Sequence, residues 1–583
     1  MAYLGEKVMN ALPLPSQSEI NALFNSPTDV QPQTFELALV LGGTVSAGAY
    51  TAGAIDFLAE ALDCFEAAKA AGQAPNYKVV LRTIAGTSGG AVNAAIAARA
   101  FNYKFPHVSA STLPGPADRV PNPFFEVWVN RLTLGDFLTT TDIRGAIPSL
   151  LNGKTIDAAA KWLQEYTAEP LAGPREWIAH PLTAFLTVTN LRGIPYKIEF
   201  QSGLTETFVN HADFVRFALH YSGRPAFEPR PDEFSLGFGD LRLPSAASWS
   251  DLAAYACASA AFPLGFPTRQ LSRPLSHYAY RVVAVPTDKG GLEPKALVVD
   301  WPAMTGATGD LQPTDYFFSA VDGGVTDNEP IELARTSLSG IGGRNPRCPQ
   351  CAHRAVFLID PFAGVAPVTA PGVSGASKTA EATFSAVVQQ TRYGAADLLL
   401  AADKSVYSRF MLTPSRDGRI GGDAIASAGL DAFLGFASKD FMIHDYLLGR
   451  YNCQSFLRKE FRLSADNTLF EKWHEPERPP FADKDGDLPI IPLFGQASVD
   501  ETMPSWPAGK LDPEDYRAAI ELRAKAILAV AEPGLLSAIG KPPGPLGQFV
   551  GWLARVGLQL SEQRIADFAV DAMKKSLQQS RLL

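Results

Sequence analysis

From Phe35 the chain alternates between short apolar runs and longer stretches with helical spacing. FELALVL (35–41) is predicted as a strand and SAGAYTAGAIDFLAEALDCFEAAKAAG (46–72) as a long helix. YKVVLRTIAG (77–86) then reads as a second strand, and GAVNAAIAARAF (90–101) as a second helix. Residues 103–123, rich in Pro, Ser and Ala, form an irregular excursion, and FFEVWVNRLTLGDFL (124–138) is helical again. Further strands are predicted at PLTAFLTVTNLRG (181–193, ending in a turn), YFFSAV (316–321) and AVFLIDPF (355–362). Strands alternating with helices imply an α/β class protein with a mainly parallel central sheet covered on both faces.

Breaks in this pattern suggest the organisation. Residues 1–33 are a polar, proline-containing lead-in, and 34–365 hold the alternating pattern. The loop-like stretch 339–353 and the Val/Ala/Pro/Ser/Gly-rich stretch 363–378 close it, so 366–583 is read as a largely helical C-terminal region. Within that region the Pro- and Asp-rich residues 475–515 are expected to be an extended surface segment. Phe549, Leu553, Val556 and Leu560 would share one helical face, packed on the core or laid on a membrane surface.

Composition narrows the options. The 583 residues are 46% hydrophobic and 19% charged, ordinary for a globular protein, and the net charge of −9 without a dense Lys/Arg run argues against a nucleic-acid partner. The N-terminus MAYLGEKVMNALPLP lacks the pattern of a secretory signal, and LALVLGGTVSAGAYTAGAI (37–55) suits strand–turn–helix better than a membrane span. A cytoplasmic protein is expected, with peripheral contact at the inner membrane face as an option. Five cysteines make no disulfide framework. Cys348 and Cys351, with His353 nearby, resemble half of a zinc site that lacks its second pair, so two free thiols and no metal are expected.

Three short stretches carry chemistry. Gly86-Thr87-Ser88-Gly89-Gly90 satisfies G-x-S-x-G between a strand and a helix, the setting in which a nucleophilic serine sits on a strained turn with Gly86 and Gly90 allowing close approach. VLGGTVSAGAYTAG (40–53) places backbone amides at another helix N-terminus, where an anion can bind. It has only the first half of a phosphate-loop pattern, with Ala49-Tyr50 where Lys-Ser/Thr is required, so an oxyanion fits better than a nucleotide. In AVDGGVTDNEPIELA (320–334), Asp322 follows a strand, before Gly323 and Gly324, at the edge where a parallel sheet binds ligands. The histidines after Asp322 (His353, His444, His474) lie in contexts that give a histidine triad little support. A Ser–Asp dyad needs only what is present.

In this order the three stretches resemble the patatin-like phospholipase family, with GGTVSAGAY (42–50) as oxyanion loop, GTSGG (86–90) as nucleophile turn and DGG (322–324) as aspartate motif. CASAAFPLGFP (257–267) and DNEPI (327–331) are similar to segments flanking the family's site, and FLGFASKDFMIHDYLLGRYNC (433–453) to segments of larger bacterial members. The resemblance implies a three-layer α/β/α hydrolase that cleaves lipid esters through an acyl-enzyme, with Ser88 as nucleophile, Asp322 as base and no cofactor. The backbone amides of Gly42, Gly43, Thr44 and Val45 would hold the oxyanion. One departure stands out: the family's G-G-G-x-[RK]-G loses two glycines here, and Ala47 replaces the basic residue before Gly48, with the Ser46 hydroxyl as an added donor or helix cap. The altered loop keeps a second reading open, a catalytically silent lipid-binding or interaction protein on the same fold. A third is a histidine-dependent esterase. Oligomeric state, acyl length and headgroup are not legible.

Overall fold

The computed structural model describes residues 14–25, 30–115, 118–225, 227–237, 247–305, 314–363, 386, 390, 395–530 and 562–583. The helical face of Phe549, Leu553, Val556 and Leu560 and most of the 363–378 boundary stretch lie outside the described residues. The elements that position the site are strand β1 (Thr34–Leu41), helix α1 (Gly48–Ala70), β2 (Lys78–Gly86) and α2 (Gly89–Ala100). They continue with β3 (Ile178–Glu199), β4 (Thr205–His220), α3 (Trp249–Ser259), β5 (Arg269–Pro274), β6 (Asp315–Asp322), α4 (Ile331–Ser339), β7 (Arg354–Ile359), β8 (Arg409–Leu412) and α5 (Lys439–Lys459).

One sheet of ten strands among the described residues forms the centre, and β8, β7, β1, β2 and β3 run parallel across it. Every residue of β1 is buried, as a strand covered on both faces requires; the one charged residue of FELALVL, Glu36, is paired with Arg354 (2.8 Å) and Arg82. Its side chains alternate between two cores: Phe35, Leu37, Leu39 and Leu41 pack with α1 and α2, whereas Ala38 and Val40 pack with Ile331, Ala334 and Leu338 of α4. The helix–sheet–helix layering follows from that period-two division.

Beyond β3 the sheet becomes antiparallel. The expected turn at Leu191-Arg192-Gly193 is instead a bulge inside a strand of 22 residues, with a register shift between Thr189 and Ile194 against β4. The Asn190 carboxamide oxygen accepts the amides of Arg192 (3.1 Å) and Gly193 (3.0 Å), replacing ladder bonds that the bulge interrupts. Asp322 therefore does not end a parallel strand, as expected, but an antiparallel one. On β3, Leu186 pairs with Gly86, while Val188 pairs with Asp322. Both β3 residues use their opposite edge for β4, pairing with Val215 and Asp213. So β2 and β6 occupy the same edge of β3 and meet head to head, two residues apart along that strand.

The C-terminal region shares this core. α5 crosses α1 so closely that a Cβ on Gly53 would come within 1.9 Å of the Tyr446 carbonyl oxygen, and one on Gly449 within 2.1 Å of that of Tyr50. The buried Arg450 of α5 pairs with Asp56 (2.7 Å) and Glu60 (2.5 Å) of α1 and with Glu501 (2.5 Å). Burial alone would raise the Asp56 carboxyl, but the charges of His107 and Arg450 outweigh it and draw it down to about 2. Removing Arg450 would leave three carboxylates without their shared cation, and breaking a buried pair typically costs about 3–5 kcal/mol.

Two further expectations are corrected. The 475–515 segment is not confined to the surface: Leu488, Ile490 and Ile491 are fully buried, and the Tyr77 hydroxyl donates to the carbonyls of Pro489 and Ile490 at 3.2 Å. Cys348 and Cys351 are not free thiols but a disulfide, made within a tight turn in which the Cys351 amide donates to the Cys348 carbonyl at 3.1 Å. Their sulfurs are bonded to each other, so the pair has no thiolates to offer a metal. Cys64, Cys257 and Cys453 are free.

Candidate active site

The elbow between β2 and α2 is built by close contact. Ser88 has φ 54° and ψ −125°, a left-handed backbone that non-glycine residues adopt at a cost of about 1–3 kcal/mol. A Cβ on Gly90 would lie 2.1 Å from the Leu41 carbonyl oxygen and one on Gly86 would lie 2.5 Å from the Gly90 carbonyl oxygen. Only glycine at both positions lets β1, β2 and α2 pack closely enough to hold the serine out.

The head-to-head meeting of β2 and β6 brings Ser88 to Asp322 across 234 residues: the Ser88 hydroxyl donates to Asp322 Oδ2 at 2.6 Å. The other carboxylate oxygen accepts the Gly324 amide at 2.8 Å, and the Asp322 carbonyl accepts from the Thr189 hydroxyl at 2.8 Å. Burial pushes the Asp322 carboxyl up to about 6, against the two hydrogen bonds that favour its charged form. Asp327 is likewise lifted to about 6 by burial. The Ser88 amide donates to the Ser259 hydroxyl at 2.8 Å. Ser259 and Asn328 belong to the two flanking stretches noticed in the sequence, although their particular roles were not legible there. The Thr87 hydroxyl bonds Thr187 (2.6 Å) and the Asp327 carbonyl (3.0 Å), fixing the floor under the elbow.

The loop after β1 divides its donors. Of the four amides expected to hold an oxyanion, Gly42 donates to the Ile359 carbonyl (3.3 Å) and Gly43 to that of Asn328 (3.2 Å). Among the described residues the amides of Thr44 and Val45 have no acceptor. Val45 has φ 47°, an unfavourable backbone for a β-branched residue. The Ser46 hydroxyl neither caps the helix nor faces the serine; it donates to the Ala432 carbonyl in the C-terminal region.

Ser88 and Asp322 open into a cavity with an empty volume of about 770 Å³, its mouth included. Gly89, Val92, Ala95 and Ile96 of α2 and Ala253, Ala256 and Cys257 of α3 line it, together with Leu163, Trp128 and the phenylalanines 137, 262, 266, 433 and 436. The cavity follows α2 from Ser88 to Ile96, about 12 Å at 1.5 Å per residue. The alanines of these helices leave the space that larger residues would fill. Phe433 and Phe436 come from the C-terminal region, which sequence reasoning had left without a role. Among the described residues no histidine lines the cavity. His353 turns its ring to the Cys351 carbonyl (3.0 Å), and His444 is buried beside Asp445 (2.7 Å) and Trp506.

The family model described as patatin-like phospholipase matches residues 39–335 of the chain. The chain is 32% identical over 555 residues to the uncharacterized protein y4iI of Sinorhizobium fredii (strain NBRC 101917 / NGR234), covering 86% of this chain and 76% of that protein. Among solved structures, the crystal structure of VipD from Legionella pneumophila aligns over 96% of this chain and 94% of its own, at 10% identity and a TM-score of 0.21, a likeness too remote to transfer geometry.

Proposed function

We propose that this chain, which belongs to the patatin-like phospholipase family, is a serine hydrolase of lipid carboxylic esters working through Ser88 and Asp322. The observation that carries the reading is the 2.6 Å hydrogen bond from Ser88 to a buried carboxylate at the wall of an apolar cavity. Above pH 6 Asp322 is ionised and accepts the Ser88 proton as Oγ attacks the acyl carbonyl carbon. The carbonyl π pair moves onto oxygen, where the free amides of Thr44 and Val45 and the N-terminus of α2 favour negative charge. Collapse breaks the bond to the alcohol, which leaves with the proton from Asp322, and Ser88 keeps the acyl group. Water, deprotonated by Asp322, then attacks the acyl carbonyl carbon; the bond to Ser88 Oγ breaks, Oγ takes the proton back from Asp322, and the acid leaves.

An acyl chain lies along α2 with its carbonyl at Ser88, since the cavity offers apolar surface and, among the described residues, no charge other than Asp322. No cofactor enters these steps. Contact with the surface of a lipid aggregate follows from the substrate class. No described helix is long and apolar enough to cross a membrane.

Fluorophosphonate labelling and turnover of p-nitrophenyl esters and phospholipid vesicles by wild type, Ser88→Ala and Asp322→Asn test the reading. Labelling and hydrolysis by wild type, both lost in Ser88→Ala, are expected. Wild type that is neither labelled nor active on any acyl ester would leave a lipid-binding protein on the same fold. Loss on replacing His444 but not Asp322 would point to a histidine base.

A further inference from the structure

The hydroxyl groups around Ser88 are almost all spoken for. Thr87 bonds Thr187 and the Asp327 carbonyl, Thr189 bonds the Asp322 carbonyl, Ser259 accepts the Ser88 amide and Ser46 donates to Ala432. Thr44 is the exception: its side chain is 1% exposed, and its Oγ1 is buried without a hydrogen-bond partner. A buried hydroxyl left unmatched is unfavourable and calls for an explanation. Its position supplies one. A Cβ built on Gly89, the residue after the serine, would lie 2.2 Å from Thr44 Oγ1, and one built on Gly43 would lie 3.4 Å from Ser88 Cβ. Thr44 thus packs against the start of α2, immediately beside the residue that would attack, and its neighbour Val45 lines the cavity together with Ser88 and Gly89.

We infer that Thr44 is a catalytic residue whose side-chain hydroxyl donates a hydrogen bond to the substrate's carbonyl oxygen as that oxygen becomes an oxyanion. The inference rests on the hydrolase reading above. No proton is transferred in this contact: the Ser88 proton still goes to Asp322, the carbonyl π pair goes to oxygen, and Thr44 Oγ1–H is the added donor to that oxygen beside the amides of Thr44 and Val45. The loop has lost Gly42 and Gly43 as free donors to the carbonyls of Ile359 and Asn328. A threonine at position 44 restores a donor that glycine there would not carry, because the hydroxyl is dry, close to the serine and unpaired until substrate arrives.

The test uses the full-length protein with Thr44→Val, which keeps the shape and removes the hydroxyl, and Thr44→Ser, which keeps the hydroxyl. Ser88→Ala is run alongside, with a soluble p-nitrophenyl ester as substrate. Loss of an oxyanion donor lowers kcat by about 10²–10³-fold, so a fall of that order is expected for Thr44→Val with KM little changed. Thr44→Ser should stay within about tenfold of wild type, since the donor is retained. The inhibition constant of an alkyl trifluoromethyl ketone, which forms the tetrahedral oxyanion on Ser88, should rise in Thr44→Val by the factor that kcat/KM falls.

A merely structural threonine predicts something else. Because the hydroxyl has no partner in the free protein, Thr44→Val should melt no lower than wild type, whereas a structural role lowers melting temperature and activity together. Thr44→Val with kcat within a few-fold of wild type would overturn the inference, as would equal losses in Thr44→Val and Thr44→Ser. If wild type is active, Ser88→Ala is dead and Thr44→Val is unimpaired, the Thr44 role falls and the hydrolase reading stands. If wild type is neither labelled by fluorophosphonate nor active, both fall. Should Thr44→Val not fold, Thr44→Ala read by the same ketone decides.

Discussion

The turns that leave β1 and β2 lie side by side, Leu41 paired with Gly86, and each feeds a helix, yet they spend their backbone strain on different groups. In the elbow the strained residue is Ser88, and what is held out is a side chain. In the loop it is Val45, and what is held out is an N–H. The elbow is therefore strict about residue type, because only a serine there has the hydroxyl and only glycine tolerates the contact at position 90. The loop is permissive at position 45, where any residue but proline carries an amide, and exacting at position 44 only for the hydroxyl. That contrast fits an intact G-x-S-x-G beside a β1–α1 loop in which Thr44 and Val45 stand where the family pattern has two glycines. The loop's support comes from far along the chain: Ser46 is tied to Ala432, and a Cβ on Gly435 would lie 2.3 Å from Ser46 Oγ.

The largest expected effect falls on the elbow's partner. On the proposed reading Asp322→Asn removes the base, and positioned general bases contribute about 10²–10⁴-fold, so a loss of that order in kcat is expected in ester turnover. The acidic limb of kcat/KM in wild type should inflect near pH 6, with activity rising as pH rises, because burial holds the free carboxyl at about 6. Asp327 titrates in the same range, and Asp327→Asn should leave the limb where it is. Stability runs the other way. Between about pH 4 and 6 the native state keeps a proton that the unfolded chain has lost, so this group's contribution falls as pH rises. Two units correspond to about 3 kcal/mol at most. Asp322→Asn should therefore gain melting temperature over wild type at pH 8 and gain little at pH 4. An inflection near 4 would break the account of how β2 and β6 bury this carboxylate.

Glycine replacements sharpen the contrast at intermediate size. Gly90→Ala drives a methyl to 2.1 Å from the Leu41 carbonyl oxygen, backbone that cannot step aside. Overpacking of this kind costs about 1–3 kcal/mol, and displacement of Ser88 should cost activity as well. Gly43→Ala meets Asn328 Oδ1 at 2.2 Å, the end of a side chain that can turn away. It should melt closer to wild type and lose less turnover. Equal losses in the two variants would mean that the loop is as unforgiving as the elbow.

Legibility in the sequence followed the same division. β1, β2, α1, α2 and the elbow were readable because each depends on neighbours within a few residues, through periodicity or a short motif. The serine and the aspartate were both readable from local patterns, but not the way they meet, which depends on β3 pairing with β2 at Leu186 and with β6 at Val188 on one edge. An Asn and a Gly flanking two residues, as Asn190 and Gly193 do here, have the same local signature in a bulge as in a turn; only the β4 partner decides. The cavity wall from Phe433 and Phe436 was hidden for a related reason. Their apolar character says that they are buried, and nothing local says against what. Thr44 was noticed for its amide, while the solitude of its hydroxyl becomes visible only when every neighbouring hydroxyl has been given its partner.

The smallest expected effect is also the most direct probe of the loop. At φ 47° Val45 occupies a conformation that glycine adopts without penalty. Val45→Gly relieves that strain, of order 1–3 kcal/mol, but gives back part of the gain, about 1 kcal/mol, through the greater freedom of the unfolded chain, and it deletes an apolar contact at the cavity wall. The net change in melting temperature should be within a few degrees of zero. Turnover of a soluble ester should stay within a few-fold of wild type, because at position 45 the amide, not the side chain, is what the loop presents. Val45→Pro removes that amide and, because proline's φ near −65° cannot match 47°, also shifts the loop, so it should lose at least what one oxyanion donor is worth, about 10²-fold or more in kcat, in whatever fraction of the protein folds. A Val45→Gly variant as impaired as Val45→Pro would show that the valine side chain, pressed against the bound acyl group, matters more than its N–H. The loop would then be a specificity wall rather than a permissive cradle.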